Sequence, residues 1–256
     1  MDSSNTRQPP CSLRSRAVPH DGVEGAGWMI RREVQIGDCR LLLGDMGEVL
    51  PAIGQFDLCL TDPPYGIGEA RNDNASRSML AASKDYGKSA WDDQPCSPAQ
   101  IAAMRAAGKW QIIFGGNYFE LPPTSCWLIW DKQNGDNDFA DCEMAWTNMP
   151  KAVRRLYWRW HGMIRKGSDI REHPTQKPVG VMEWCLTHVP SAKTVVDPFM
   201  GSGSTGVACA KRGLAFTGIE RHEPYFDIAC ERIRKAYAQP DFFVERAPEP
   251  KQEAFL

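Results

Sequence analysis

The chain of 256 residues is 42% hydrophobic and 24% charged, the proportions of a globular fold, which exclude a wholly disordered chain, a collagen and a coiled coil. A formal charge of −2 gives no whole-molecule field to attract a polyanion, so a nucleic-acid partner would have to meet a local basic surface. No apolar run reaches the ~18 residues of a membrane span, no signal-peptide core opens the chain, and nine scattered cysteines lack C-x-x-C or zinc spacing, so a reduced cytoplasmic protein without metal or membrane is expected.

Residues 1–27, rich in Ser, Pro, Arg and Gly without hydrophobic period, read as a disordered tail, and 239–256 read the same way. One domain is expected over 28–238. Apolar runs bounded by turn residues predict strands at 39–43, 56–60, 111–114, 126–130, 142–146, 194–196 and 214–219. Ser97-Pro98 signals a helix that stops at Gly108, through a cap, a proline at the first helical position and a glycine stop. A second helix is predicted over 178–188, with Val181, Trp184 and Cys185 on one side, and a third over about 224–238, stacking Phe226, Cys230, Ile233 and Tyr237 in a stripe. Alternating strands and helices predict an α/β fold, a mainly parallel sheet covered on both faces, with 126–130 and 142–146 as an antiparallel pair at one edge. The polar stretch 67–97 after a strand end reads as a mobile loop.

Three features carry chemistry. After the strand at 194–196 come Asp197-Pro198-Phe199-Met200-Gly201-Ser202-Gly203-Ser204-Thr205-Gly206, with Glu220 ending the next strand. Glycines let backbone approach a ligand and the acid can accept from a ribose diol, a pattern that fits NAD, FAD or S-adenosylmethionine but not a P-loop. Its place near the C-terminus argues for a circularly permuted order. Upstream, Asp62-Pro63-Pro64-Tyr65 follows a strand; two prolines remove donors and leave carbonyls beside a carboxylate and an aromatic ring, which suits an exocyclic amine on a planar base. Third, residues 151–177 hold eight Lys/Arg against Asp169 and Glu172, a net +6 that leaves −8 for the remainder. Interleaved Tyr157, Trp158, Trp160 and His161 give the segment 147–177 the mixture of a DNA-contacting surface, with Arg154, Arg155, Arg159, Arg165 and Lys166 as candidate contacts; a charged, solvated edge strand is the alternative. Alternation along a strand would put Arg155 and Arg159 on one face and Arg154 on the other.

Together, Asp62 to Tyr65, Asp197 to Gly203, His173-Pro174-Thr175-Gln176-Lys177-Pro178 and Leu43-Gly44-Asp45 resemble the signatures of the S-adenosylmethionine-dependent DNA amino-methyltransferases, in the order of their permuted beta class, over about residues 34–237. The resemblance implies a Rossmann-like class I methyltransferase fold with a seven-stranded sheet. It also implies methylation of adenine N6 in double-stranded DNA by base flipping, and frequent homodimers. Cytosine N4, or a non-catalytic DNA-binding regulator on the same fold, are the rivals. Carried over residue by residue, it puts Asp62, Pro63, Pro64 and Tyr65 in the catalytic site. Asp197, Phe199, Gly201, Ser202, Gly203 and Thr205 would form the cofactor pocket, Glu220 would take the ribose and Asp45 the cofactor adenine, in preference to Asp38. Thr175, Gln176 and Lys177 would stand at its methionine end. Asp136, Asp138 and Asp141 fail the calcium-loop pattern and read as a solvated turn, and His173 reads as structural.

Overall fold

The computed structural model describes residues 29–67, 94–134, 140–161, 164–165 and 176–238, with backbone alone at 161, 164 and 165. The predicted tails and nearly all of the 67–97 loop lie outside these residues, as do Lys166, His173 and Thr175. A hairpin comes first, β1 (Ile30–Ile36) against β2 (Cys39–Gly44), turning at Gly37, whose φ is +53°. Helix α1 (Met46–Val49) follows, then β3 (Phe56–Thr61), α2 (Pro98–Ala107) and β4 (Gly108–Phe114). The chain continues through β5 (Trp127–Asp131), β6 (Cys142–Thr147), β7 (Arg154–Tyr157) and the small pair β8 (Trp160–His161) and β9 (Ile164–Arg165). It ends with α3 (Val179–Thr187), β10 (Thr194–Asp197), α4 (Ser204–Lys211), β11 (Ala215–Glu220) and α5 (Glu223–Ala238).

The main sheet has the order β1-β2-β11-β10-β3-β4-β6-β5-β7. Strands β2, β11, β10, β3 and β4 run parallel, β6 runs antiparallel between β4 and β5, and β1 is antiparallel to β2. The seven strands from β2 to β5 are the expected Rossmann-like sheet; β1 and β7 extend it to nine, and β7, parallel to β5, takes the edge assigned to the 126–130 and 142–146 pair. Strand β1 escaped the sequence reading because Arg31, Arg32 and Glu33 interrupt its apolar pattern. Arg32 pairs with Glu223 and Asp227 of α5, and its guanidinium lies 4.6 Å from the centre of the Phe226 ring.

Period-two alternation sends side chains to both faces of the sheet. Leu41, Leu43, Leu58, Leu60, Ile112, Phe114 and Val195 pack on one side with residues of α3, α4 and α5, while Leu42, Cys59, Ile113 and Val196 pack on the other with α1 and α2. The start of α2 is as expected: the Ser97 hydroxyl accepts the Gln100 N–H and the Gln100 side chain accepts the Ser97 N–H, a reciprocal cap. In the α5 stripe Phe226, Cys230 and Ile233 are buried, but Tyr237 is 40% exposed; its hydroxyl accepts the Asp38 N–H at 3.0 Å and its ring fills the space that a Cβ on Gly37 would need. Of the eight cysteines among the described residues, seven are buried and none is paired, small hydrophobes rather than cross-links.

The fold positions a site at one point. From β10 the chain crosses through α4 to β11 on one side, and from β3 through α2 to β4 on the other, so connections diverge between β10 and β3. Such a divergence opens a crevice beyond the carboxyl ends of the strands. Asp197 ends β10 and Asp62 follows β3, side by side on paired strands.

Candidate active site

A cavity of about 550 Å³ opens at this crevice, within the ~300–1,000 Å³ typical of ligand sites. Its wall includes Asp62 and Pro64 after β3, Phe199 and Gly201 after β10, and Glu220 at the end of β11. Gly201 needs its left-handed φ of +49°, and a Cβ there would meet no protein atom within 4 Å, so the loop leaves open space beside its backbone. The Glu220 carboxylate accepts the Gly201 N–H at 3.0 Å and the His222 N–H at 2.6 Å. Burial pushes its carboxyl up to about 7, against those two bonds.

The glycine loop is clamped from behind. Arg232 of α5 donates to the Ser202 carbonyl at 2.6 Å and to its hydroxyl at 2.9 Å; Ser204 donates to the Lys177 carbonyl at 2.8 Å. Asp197 is turned inward: its carboxylate accepts from the Thr61 hydroxyl at 2.7 Å, the Thr205 hydroxyl at 2.6 Å and the Phe199 N–H at 3.1 Å, tying β3, β10 and the head of α4 together. Gly203 is not in the cavity wall; at φ +81° it opens α4, and a Cβ there would come within 2.9 Å of that of Ala229. Asp45 is in the wall while its side chain caps α1 by accepting the Gly47 N–H at 2.8 Å, whereas Asp38 stands at the other end of β2.

Around Asp62 the charges alternate. Tyr65 donates its hydroxyl proton to Asp62 Oδ1, and Lys177 Nζ lies 2.5 Å from Oδ2. The same ammonium is 2.9 Å from Glu143 Oε2, and Lys132 is 2.8 Å from Glu143 Oε1. Lys177 is 6% exposed and Asp62 17%. Burial pushes the Asp62 carboxyl up; Lys177 opposes this and Glu143 adds to it. Burial acts on Glu143 in the same sense, but Lys177 and Lys132 outweigh it and hold that carboxyl well below its usual range. For Lys177 burial favours the neutral amine, yet two carboxylates keep it firmly protonated. Tyr65 is stacked on Tyr118, ring centres 5.0 Å apart and 14° from parallel, and a Cβ on Gly115 would strike the Tyr65 ring. The described chain leaves at Ile67 and returns at Gln94 beside this turn, where Tyr65 bridges to Pro95 and Pro64 accepts the Cys96 N–H at 3.3 Å.

A family model described as DNA methylase matches residues 122–231. The type II methyltransferase M.ScaI of Streptomyces caespitosus is 39% identical over 260 aligned positions, which cover 81% of this chain and 85% of that one. This chain belongs to the S-adenosylmethionine-dependent DNA amino-methyltransferases. A second type II methyltransferase, M2.LlaDCHI of Lactococcus lactis subsp. cremoris, is 38% identical over 79 residues, 30% of this chain and 29% of that protein. The solved complex of M1.HpyAVI with SAM is 22% identical, covers 76% of this chain and 99% of its own, and superposes with a TM-score of 0.46.

In this methyltransferase the crevice brings together Asp45, Asp62, Pro64, Gln176, Lys177, Asp197, Phe199, Gly201, Ser202, Thr205 and Glu220 of the residues singled out in the sequence. Tyr65 and Pro63 are beside it without forming its wall. Sequence reasoning gave no role to Glu143 and Lys132, which pair with each other, and missed Arg232 behind the loop, Tyr118 on Tyr65, and Gln94 to Cys96 in the wall. The basic segment divides by depth. Trp158 and Trp160 are half-buried against the core, and a Cβ on Gly180 would strike the Trp158 ring, so these rings hold the fold together. Arg154 and Arg155 are exposed on edge strand β7, but the strand ends at Tyr157, so the expected pairing of Arg155 with Arg159 on one face fails; its face-mate is Tyr157, whose ring centre lies 4.4 Å from the Arg155 guanidinium. Among the described residues no cluster of His, Cys, Asp or Glu could hold a metal, and no helix is long and apolar enough to cross a membrane.

Proposed function

We propose that this methyltransferase transfers a methyl group from S-adenosylmethionine to adenine N6 in double-stranded DNA, on a base flipped out of the duplex. The observation that carries the reading is that the Asp62 carboxylate and the Gly201 cradle line one cavity. S-adenosylmethionine supplies a methyl group already activated on sulfonium, so the chain has chiefly to align an amine and exclude water. The open backbone at Gly201 and the carboxylate of Glu220 fit its polar end groups, with Glu220 accepting from the ribose hydroxyls, Asp45 near its adenine and Gln176 beside the loop. Asp62 would accept an N–H of the target amine. That nitrogen's lone pair is delocalised into the ring, and the hydrogen bond draws it toward tetrahedral geometry; the N–C bond forms as the sulfonium S–C bond breaks, S-adenosylhomocysteine departs, and the amine proton passes to Asp62 and on to solvent. Tyr65, beside the cavity with Tyr118 against one face, would present its other face to the flipped base, stacking worth about 1–3 kcal/mol against a flipping cost of a few kcal/mol.

Expression in a host free of DNA methylation, followed by single-molecule sequencing of its genome, tests the reading. N6-methyladenine recurring in one short motif is the expected result. N4-methylcytosine would move the acceptor to cytosine, and an unmodified genome would leave a DNA-binding regulator. The resemblance also carries the proposal of a homodimer, which sedimentation velocity tests.

Cofactor affinity is expected to depend on pH through Glu220. Burial raises this carboxyl to about 7, so it is largely protonated at pH 6 and ionised at pH 8, and only the ionised form accepts from both hydroxyls of a diol. The Kd for S-adenosylmethionine should therefore fall as pH rises from 6 to 8. Glu220→Gln should flatten that profile and weaken binding by about 1–3 kcal/mol, the range of a charge-assisted hydrogen bond. Calorimetry across this pH range reads both effects, and an unchanged slope in the variant would remove Glu220 from the cofactor.

For DNA, the exposed arginines of β7 support a path along the sheet edge. Asp131, 3.9 Å from Arg155, offsets part of that charge, so Arg154→Ala should lose more affinity than Arg155→Ala. Each phosphate contact removed should lower the salt slope of log K by ~1 without changing sequence preference. Titrations at several salt concentrations on unmodified duplex check this. If Ala at 154, 155 and 159 leaves affinity and slope untouched, these charges only protect an edge strand.

A further inference from the structure

The buried ammonium of Lys177 touches Asp62, the group assigned to the target amine, yet it does not belong to Asp62 alone. Its second carboxylate comes from Glu143, on β6, a strand that the sheet order inserts next to β4 and away from both motifs. The two contacts differ. To Asp62 the ammonium closes to 2.5 Å, while to Glu143 it stands at 2.9 Å, and the other oxygen of Glu143 is taken by Lys132 at 2.8 Å. Glu143 therefore acts on Lys177 as a second counter-charge, with the cation shared between two carboxylates. Lys132, on the other oxygen of Glu143, keeps that carboxylate ionised, so the chain Asp62, Lys177, Glu143, Lys132 alternates in sign and is neutral as a whole.

We propose that Glu143 is a positioning residue for methyl transfer, acting through Lys177 to leave the Asp62 carboxylate its negative charge for the target amine. With Glu143 present, one buried cation is shared by two carboxylates, and Asp62 remains a strong acceptor. Without it, the whole charge of Lys177 falls on Asp62. At low local dielectric a full cation at 2.5 Å competes directly with the incoming N–H and opposes the positive charge arriving on the amine nitrogen. Among the described residues, Tyr65 from the same turn, Lys177, Glu143 from β6 and Asp197 from β10 are the titratable groups facing Asp62. Removing Glu143 takes away a like charge, so the acid limb of turnover, set by Asp62, should move to lower pH while the plateau falls.

This inference rests on Asp62 as the acceptor, and the experiment separates the two. The probe is whole-genome-amplified DNA, which carries every short sequence unmethylated, with methyl-labelled S-adenosylmethionine. Glu143→Gln is expected to lower kcat at least 10-fold, to leave the cofactor Kd within about threefold of the parent, and to shift the acid limb down by at least half a pH unit. Because Glu143 acts through Lys177, Glu143→Gln should cost nothing further in a Lys177→Met background, where additive losses would indicate separate, structural roles. Glu143→Asp, retaining the charge, should recover part of the loss. An unmoved acid limb, cofactor affinity falling in step with kcat, or losses that add would overturn the inference. Full turnover in Asp62→Ala would instead overturn the assignment of Asp62 beneath it.

Discussion

Asp62→Ala is expected to lower methyl transfer by about 10²–10³-fold, the loss seen when one preorganised hydrogen-bonding group is removed from a transition state, while the cofactor Kd stays within about threefold. The separation follows from position. Asp62 stands on the β3 side of the crevice, whereas Gly201 and Glu220 stand on the β10 and β11 side, joined by their own hydrogen bond at 3.0 Å. Removing the Asp62 carboxylate does not orphan Lys177, because Glu143 remains 2.9 Å from the ammonium, so the variant should fold. Asp62→Asn, which keeps the shape and one acceptor oxygen, should fall between parent and Ala variant. Single-turnover rates with calorimetry on the same preparations check this, and equal losses of turnover and cofactor binding would refute the division of roles.

Asp197→Ala is expected to fail by another route, through the fold itself. The carboxylate is 2% exposed and accepts from two threonine hydroxyls and one backbone N–H. Burial pushes its carboxyl up to about 6, and the three hydrogen bonds oppose that. Truncation leaves three buried donors facing a void. At ~1–3 kcal/mol for each unsatisfied group, partly relieved by rotation of the hydroxyls, a loss of about 3–5 kcal/mol is expected. For a domain of this size that lowers Tm by roughly 6–20 °C. Cofactor binding should fall too, since Phe199 and the glycine loop hang from this carboxylate. A variant that loses the cofactor with Tm unchanged within 2 °C would make Asp197 a ligand with no structural duty.

The resemblance put Asp197 and Glu220 in the same pocket, and both are there, but with different work. Sequence shows which residues surround a loop; it does not show that Asp197 turns inward to Thr61 and Thr205, because those bonds depend on the pairing of β3 with β10, 136 residues apart at Thr61. The strands that build the crevice were legible because each is an apolar run closed by turn residues, and α2 was legible because Ser97 and Gln100 satisfy each other within one turn. Strand β1 was not, since the Arg32 charge that breaks its apolar pattern is neutralised by Glu223 and Asp227 of α5, at the far end of the chain. Glu143 was hidden for the same reason. It lies 34 residues from Lys177, in a segment that reads only as a strand, and its partner is fixed by the insertion of β6 beside β4. The basic segment was half legible: Arg154, Arg155 and Arg159 are exposed as their charge implies, while Trp158 and Trp160, grouped with them by composition, face the core.

On the proposed reading, Asp62 presents a carboxylate to an adenine amine beside S-adenosylmethionine. Purified protein, whole-genome-amplified DNA and methyl-labelled cofactor, digested to nucleosides and read by mass spectrometry, test it most directly. Label in N6-methyladenine, arriving about 10²–10³-fold more slowly with Asp62→Ala, is the predicted result; label in N4-methylcytosine, on protein, or undiminished in the Ala variant would contradict it.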